Sequence, residues 1–130
     1  MKKELQEILF KAHPQMFREA KLSESESTMG RGITTDNGWF DLLWHLCAEI
    51  QLILNKDKKL AKKFAITQVK EKLGFLRMYT RDSSDEINNL INVAVRESSR
   101  TCEVCGRKGK LIEDEGWLSV RCKECKEKGI

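Results

Sequence analysis

Apolar residues recur at helical spacing in three stretches of the chain and at strand spacing in one. Leu5, Ile8, Leu9 and Ala12 predict a helix within the first 22 residues. His13-Pro14 interrupts it, because a residue before proline is pushed out of the α region, and a short turn over Gln15–Lys21 follows. Trp39, Leu42, Leu43, Leu46, Cys47, Ile50, Ile53 and Leu54 cover a broad face and predict a central helix over 39–55. Lys56–Lys63 reads as a charged helix end or connection. Ile66, Val69, Phe75, Leu76, Met78 and Tyr79 flank Gly74 and predict a β-hairpin over 64–80 that turns at Leu73-Gly74. The cleanest amphipathic pattern is Ile87, Leu90, Ile91, Ala94, Val95 and Ser98, a helix over 84–99 opened by the capping-box signal Ser83-Ser84-Asp85-Glu86.

Between the first two helices, Ser23–Ser27 alternates serine with glutamate and has no apolar period. It reads as a solvated loop running through Gly30-Arg31-Gly32 to the turn signal Asp36-Asn37-Gly38. The order of elements implies an α+β fold: a small helical core with a β-hairpin over residues 1–99, and a separate module over 100–130.

The module is defined by its cysteines. Cys102-Glu-Val-Cys105-Gly106 and Cys122-Lys-Glu-Cys125 form C-x2-C-x16-C-x2-C. Two cysteines three apart in a tight turn aim both sulfurs at one ion, and a second such turn completes the tetrahedron that Zn²⁺ favours. Gly106 suits a turn whose amides face the sulfurs, a conformation that often needs positive φ. Leu111-Ile112 and Trp117-Leu118-Ser119-Val120 predict two short strands between the pairs, as in a zinc ribbon or a treble-clef-like module. Residues 100–130 hold too few large apolar side chains to fold unaided. Four protein ligands leave no open position, so the expected cofactor is one structural Zn²⁺ per chain, held by Cys102, Cys105, Cys122 and Cys125.

Composition narrows the rest. The chain has 130 residues, 40% hydrophobic and 34% charged, which fits one folded domain. No apolar run is long enough for a membrane span, and Met1-Lys2-Lys3-Glu4 lacks the apolar stretch of a secretory signal. Cysteines without such a signal indicate a reducing compartment, so the expected location is the cytoplasm. Net charge is +4, with −2 in residues 1–55, +7 in 56–81 and −1 in 82–130. Four thiolates around a divalent ion would bring the assembled total near +2, a weak electrostatic case for general nucleic-acid binding.

Catalytic candidates are few. Cys47 lies on the apolar face of the central helix, where free cysteine behaves as a small buried hydrophobe. His45 and Glu49 share a helix face at i, i+4, a pairing that is usually structural, and His13 before proline offers less. Gly30-Arg31-Gly32 follows no predicted strand and lacks the context of a dinucleotide fingerprint. No His-x-Glu precedes a Pro-Cys-x-x-Cys, so the zinc-deaminase signature is absent. No histidine follows His45, which argues against metal-finger nuclease chemistry.

The remaining candidate surface is the basic hairpin, where Lys70, Lys72 and Arg77 accompany Phe75 and Tyr79 in the mixture that nucleic-acid binders use. The favoured expectation is the plainer one, with the aromatics packed inward and the cations solvating the sheet.

These stretches together resemble a family of small uncharacterised proteins of phages, prophages and bacteria. The resemblance lies in Asp36-Asn37-Gly38-Trp39-Phe40-Asp41, in Val69-Lys70-Glu71-Lys72-Leu73-Gly74-Phe75-Leu76-Arg77-Met78-Tyr79, in Ser98 with Cys102-Glu-Val-Cys105-Gly106, and in Trp117 with Cys122 and Cys125. It spans most of the chain from His13-Pro14 onward. Family members carry Gly-Asp-Gly-Trp where this chain has Asp36-Asn37-Gly38-Trp39, and some end in Cys-x-x-His. The resemblance implies a phage-related zinc protein of the bacterial host cytoplasm. It directs attention to Trp39, Lys70, Lys72, Gly74, Arg77 and Tyr79, with Trp39 favoured as a core anchor.

Three function classes follow. The leading expectation is a non-enzymatic, zinc-stabilised binding protein acting on a host or phage macromolecule, with a protein as the favoured partner. The alternative is nucleic-acid binding through the basic segment 56–81. An enzyme acting on a phosphate-containing substrate ranks third, because the chain shows no obvious nucleophile, general base or open metal.

Overall fold

The first helix stops where proline requires. The computed structural model describes residues 1–130, and in it α1 (Lys3–Ala12) ends at His13, the residue before Pro14. His13 is buried, and its Nδ1 lies 2.9 Å from Gln51 Oε1 on the central helix α2 (Phe40–Lys56). The turn expected over Gln15–Lys21 is a 3-10 turn at Arg18–Lys21. α2 buries Leu43, Leu46, Cys47, Ile50 and Leu54. A short helix, α3 (Lys58–Lys63), follows because Asp57 caps it, accepting a hydrogen bond from the Leu60 amide (3.0 Å). The Arg18 guanidinium donates to the Phe64 carbonyl (2.6 Å) and to Lys63 (3.1 Å), satisfying carbonyls at the C-terminal end of α3.

The hairpin pairs β1 (Ala65–Lys72) with β2 (Phe75–Arg81), with a register shift between Ile66 and Gln68. Leu73 and Gly74 both take positive φ, 54° and 86°, the two-residue turn whose twist matches the strands. The Glu71 carboxylate closes it by accepting from the Gly74 amide (2.7 Å). α4 (Asp85–Ser98) packs on β2 and α2 and buries Ile87, Ile91, Ala94 and Ser98. Ser98 Oγ donates to the Val95 carbonyl (2.5 Å) and accepts from the Leu76 amide (3.0 Å), joining the end of α4 to β2. A two-stranded hairpin needs such a partner to be stable.

Two local expectations are corrected. The cap of α4 is Ser84, which accepts from the Ile87 amide (3.2 Å); Ser83 instead donates to Asn88, and Glu86 falls one position short of the reciprocal contact. The loop 23–38 is also less solvated than its composition suggested. Met29 and Ile33 are buried in the main core, and Ile33 bridges Val69 in parallel, lengthening the edge of the hairpin. Isolated apolar residues in a polar stretch have no period, so the pattern did not reveal that anchor.

The same loop contributes to a charged cluster. Glu19 is buried and accepts from Ser27 Oγ (2.7 Å), Arg81 Nε (3.1 Å) and an Arg81 terminal nitrogen (3.2 Å). The Arg81 contact holds its carboxyl below the usual carboxylate range. A depressed carboxyl stabilises the fold at neutral pH, and that contribution disappears as pH falls through the folded-state value. Glu19→Gln is expected to cost about 1–3 kcal/mol at neutral pH. The gap from the parent should close on acidification, measured by denaturant unfolding across the acid range; a gap unchanged with pH would refute the linkage.

Candidate metal centre and basic surfaces

Backbone geometry brings the four predicted cysteines together. In the first turn, Gly106 takes φ +81° and its amide donates to the Cys102 carbonyl (2.9 Å). The chain then forms a hairpin, β3 (Lys110–Asp114) with β4 (Trp117–Arg121). Cys122 caps a last short helix, α5 (Lys123–Glu127), its sulfur accepting from the Cys125 amide (3.4 Å). The module thus combines a ribbon hairpin with a second ligand pair at the start of a helix.

All four Sγ atoms lie within 4.8 Å of one another, and the Cys105 and Cys122 sulfurs are 3.5 Å apart. A tetrahedral ion with metal–sulfur bonds of about 2.3 Å spaces its ligands about 3.8 Å apart, so the cluster fits one ion. No disulfide forms among the cysteines. Burial pushes the Cys102 thiol up, but amides of Cys105, Cys122 and Val104 outweigh it and bring the group to about 7, whereas burial pushes the Cys125 thiol up to about 12 and the Cys105 thiol is also raised.

The cluster sits against the helical core rather than beside it. Gly38 donates its amide to the Glu103 carbonyl (2.6 Å), and the Glu103 carboxylate accepts from the Asp36 amide (2.9 Å). Trp39 is fully buried, and its indole Nε1–H donates to the Thr101 carbonyl (2.9 Å). A Cβ on Gly38 would stand 2.3 Å from the Cys102 carbonyl oxygen, and one on Gly106 would stand 2.9 Å from the Gly38 oxygen. Gly74 meets the module too, since a Cβ there would strike Leu111 at 2.4 Å. Close approach between core and module thus accounts for Gly38, whereas Gly74 is required first by its φ of +86° in the turn.

The catalytic candidates stay apart. Cys47 is buried in the main core, and burial pushes its thiol up to about 12, so it carries no thiolate at neutral pH. His45 Nδ1 lies 2.7 Å from the Asp41 carbonyl oxygen on an exposed helix face, with no hydrogen bond to Glu49.

The basic hairpin departs from the favoured expectation. Register pairs Gln68 with Tyr79, Lys70 with Arg77 and Lys72 with Phe75, so all six occupy one face. Val69, Leu76 and Met78 fill the core from the other face. Strand alternation thus puts Phe75 and Tyr79 beside the cations rather than inward. Tyr79 is 46% exposed, and the Arg77 guanidinium lies 5.8 Å from the Phe75 ring centroid. The five ion pairs in the structure all use other arginines, leaving Lys70, Lys72 and Arg77 without a carboxylate partner.

Sequence reasoning missed a second basic surface. Lys108, Lys110, Lys123 and Lys126 converge on a groove of the cysteine module that also touches Arg121. The net −1 of residues 82–130 concealed it, because the acids Glu113, Asp114 and Glu115 gather at the opposite end of the β3–β4 hairpin.

Fold and site define an α+β protein with two β-hairpins and a C-terminal four-cysteine cluster of zinc-ribbon character. No protein-family model, curated protein or solved structure matches the chain. No helix is long and apolar enough to cross a membrane.

Two predictions follow from the cluster. Reduced protein is expected to carry one metal equivalent, and Cys105→Ser should lose it and unfold the module while helical circular dichroism largely persists. Less than half an equivalent in freshly purified, reduced protein would reject the site. Gly38→Ala should leave the ligands intact yet speed metal transfer to a chelator, because the added carbon forces the first cysteine turn away; an unchanged transfer rate would show that the contact is dispensable.

Proposed function

We propose that this is a non-enzymatic, zinc-stapled binding protein that takes single-stranded nucleic acid on the outer face of its β1–β2 hairpin. Zinc is the metal that suits a four-thiolate tetrahedron, and with all four positions filled by protein it supplies folding energy rather than chemistry. The observation that carries the reading is the cross-strand pairing of Lys70 with Arg77, flanked by Lys72, Phe75 and Tyr79. Like charges directly opposite one another destabilise a sheet. A face that only had to be soluble would gain by carrying one carboxylate there. Cations for phosphates beside aromatic rings for bases are what a single strand requires.

Support for a protein partner is thinner. The exposed apolar side chains, among them Ile8, Leu52, Val93 and Trp117, are spread over α1, α2, α4 and β4. Support for an enzyme is thinner still, since Cys47 is buried in the core with its thiol raised to about 12 and His45 has no hydrogen-bonded acid.

Binding to a short oligothymidylate, followed by fluorescence anisotropy against salt, tests the reading. Each phosphate contact on a single strand contributes about 0.7 to the log–log salt slope, so Lys70→Ala with Lys72→Ala is expected to reduce it by about 1.4. Tyr79→Ala should weaken binding by about 1–3 kcal/mol with the slope unchanged. No binding tighter than high micromolar at physiological salt, or binding indifferent to all three substitutions, would overturn the proposal.

A further inference from the structure

The groove on the cysteine module has the features of a binding site in its own right. It has a volume of about 720 Å³ and is lined by Lys108 and Lys110, at the approach to and start of β3, and by Lys123 and Lys126 of α5. None of these lysines forms an ion pair. Arg121 is already engaged, donating to the Ile130 carbonyl (2.8 Å) and lying 3.8 Å from Glu103, so it braces the wall rather than adding a free charge. One carboxylate, Glu127, lines the groove against the four lysines. Four exposed cations around one carboxylate give the groove a positive field that attracts an anionic ligand.

The face of the ribbon that floors the groove continues to an aromatic residue. Register sets Lys110 opposite Arg121, Ile112 opposite Ser119 and Asp114 opposite Trp117, all on one face. Trp117 is 79% exposed, the most exposed of the large apolar side chains, and nothing in the fold needs it there. At ~3.4 Å per residue, the indole stands roughly 14 Å along the strand from Lys110. Asp114 opposite it repels phosphate, leaving the ring to a base while phosphates stay at the lysine end.

We infer that this groove is a second binding site for single-stranded nucleic acid, with Lys108, Lys110, Lys123 and Lys126 on backbone phosphates and Trp117 stacking a base. It shares its ligand class with the hairpin face but none of its residues, so each site stands or falls separately. The lysines give affinity without sequence preference, and the indole accepts any base because every base has a π-face.

The test uses the full-length, zinc-loaded chain with a short oligothymidylate, the matching duplex and a polyglutamate peptide as probes. Lys123→Ala with Lys126→Ala is expected to lower the single-strand salt slope by about 1.4, as is Lys108→Ala with Lys110→Ala. Trp117→Ala should weaken binding roughly 5- to 150-fold without changing the slope. Zinc content is measured for each variant. Should either lysine pair lose metal, Trp117→Ala, at the end of the β3–β4 hairpin far from the cysteines, decides. Oligothymidylate affinity and slope unchanged in the groove variants would overturn the inference, and with the hairpin variants still weakened would leave the hairpin reading standing. The reverse pattern would support the groove and reject the hairpin. Tighter binding to the duplex, or to polyglutamate, than to the single strand would also overturn it.

Discussion

The close approach of the turn at Gly38 to the first cysteine turn is the constraint on which the rest of the architecture depends. A side chain at Gly38 would stand inside the Cys102 carbonyl, and the Gly38 amide donates to Glu103 at 2.6 Å. Trp39, next in sequence, buries its ring in the helical core while its indole nitrogen holds the Thr101 carbonyl. One short segment thus anchors the core on one side and the metal turn on the other. Burying so large a ring contributes a few kcal/mol, but only if its polar nitrogen is satisfied. The Thr101 carbonyl satisfies it, which couples the packing of the core to the conformation of the module.

This coupling divides the labour. The helices and the first hairpin share a continuous apolar core, whereas the module has only a small cluster of Cys102, Cys122 and Cys125 with Val104 packed on it. A metal held by the four cysteines would supply of order 10 kcal/mol, ample to hold its turns and hairpin in place. Such a staple would free most other side chains of residues 106–130 from packing duty, buried Val120 excepted. Lysines and an exposed tryptophan are affordable there for that reason. On β1 and β2 the same freedom arises differently: Val69, Leu76 and Met78 satisfy the core from one face, and the other face is left to Lys70, Lys72, Arg77 and Tyr79.

Much of this was legible in the sequence because it is periodic or punctuated. The 3.6-residue spacing from Ile87 to Ser98 gives α4, Pro14 ends α1, and Leu73-Gly74 closes the first hairpin. The C-x2-C pairs mark the cluster because a tight turn can aim two sulfurs only at short spacing. The inward or outward position of Phe75 and Tyr79 was also present in the strand period, but composition favoured burying aromatics and alternation overruled it. By contrast, Met29 and Ile33 carry no period, and Glu19 gives no sign of its pairing with Arg81, because partners 62 residues apart leave no local pattern.

The sequence by itself determined most of the elements, though not the short helix α5, together with the main turns and the four cysteines that cluster, since each depends on interactions within a few residues. Only the tertiary structure decided where the elements touch. It showed that Gly38 is a contact point rather than a turn residue alone. It also showed that a segment of net charge −1 separates into a basic groove and an acidic tip. Charge summed along a chain has no direction; the fold of the β3–β4 hairpin and α5 supplies one, by bringing Lys108 and Lys110 together with Lys123 and Lys126 while Glu113, Asp114 and Glu115 are carried to the far end.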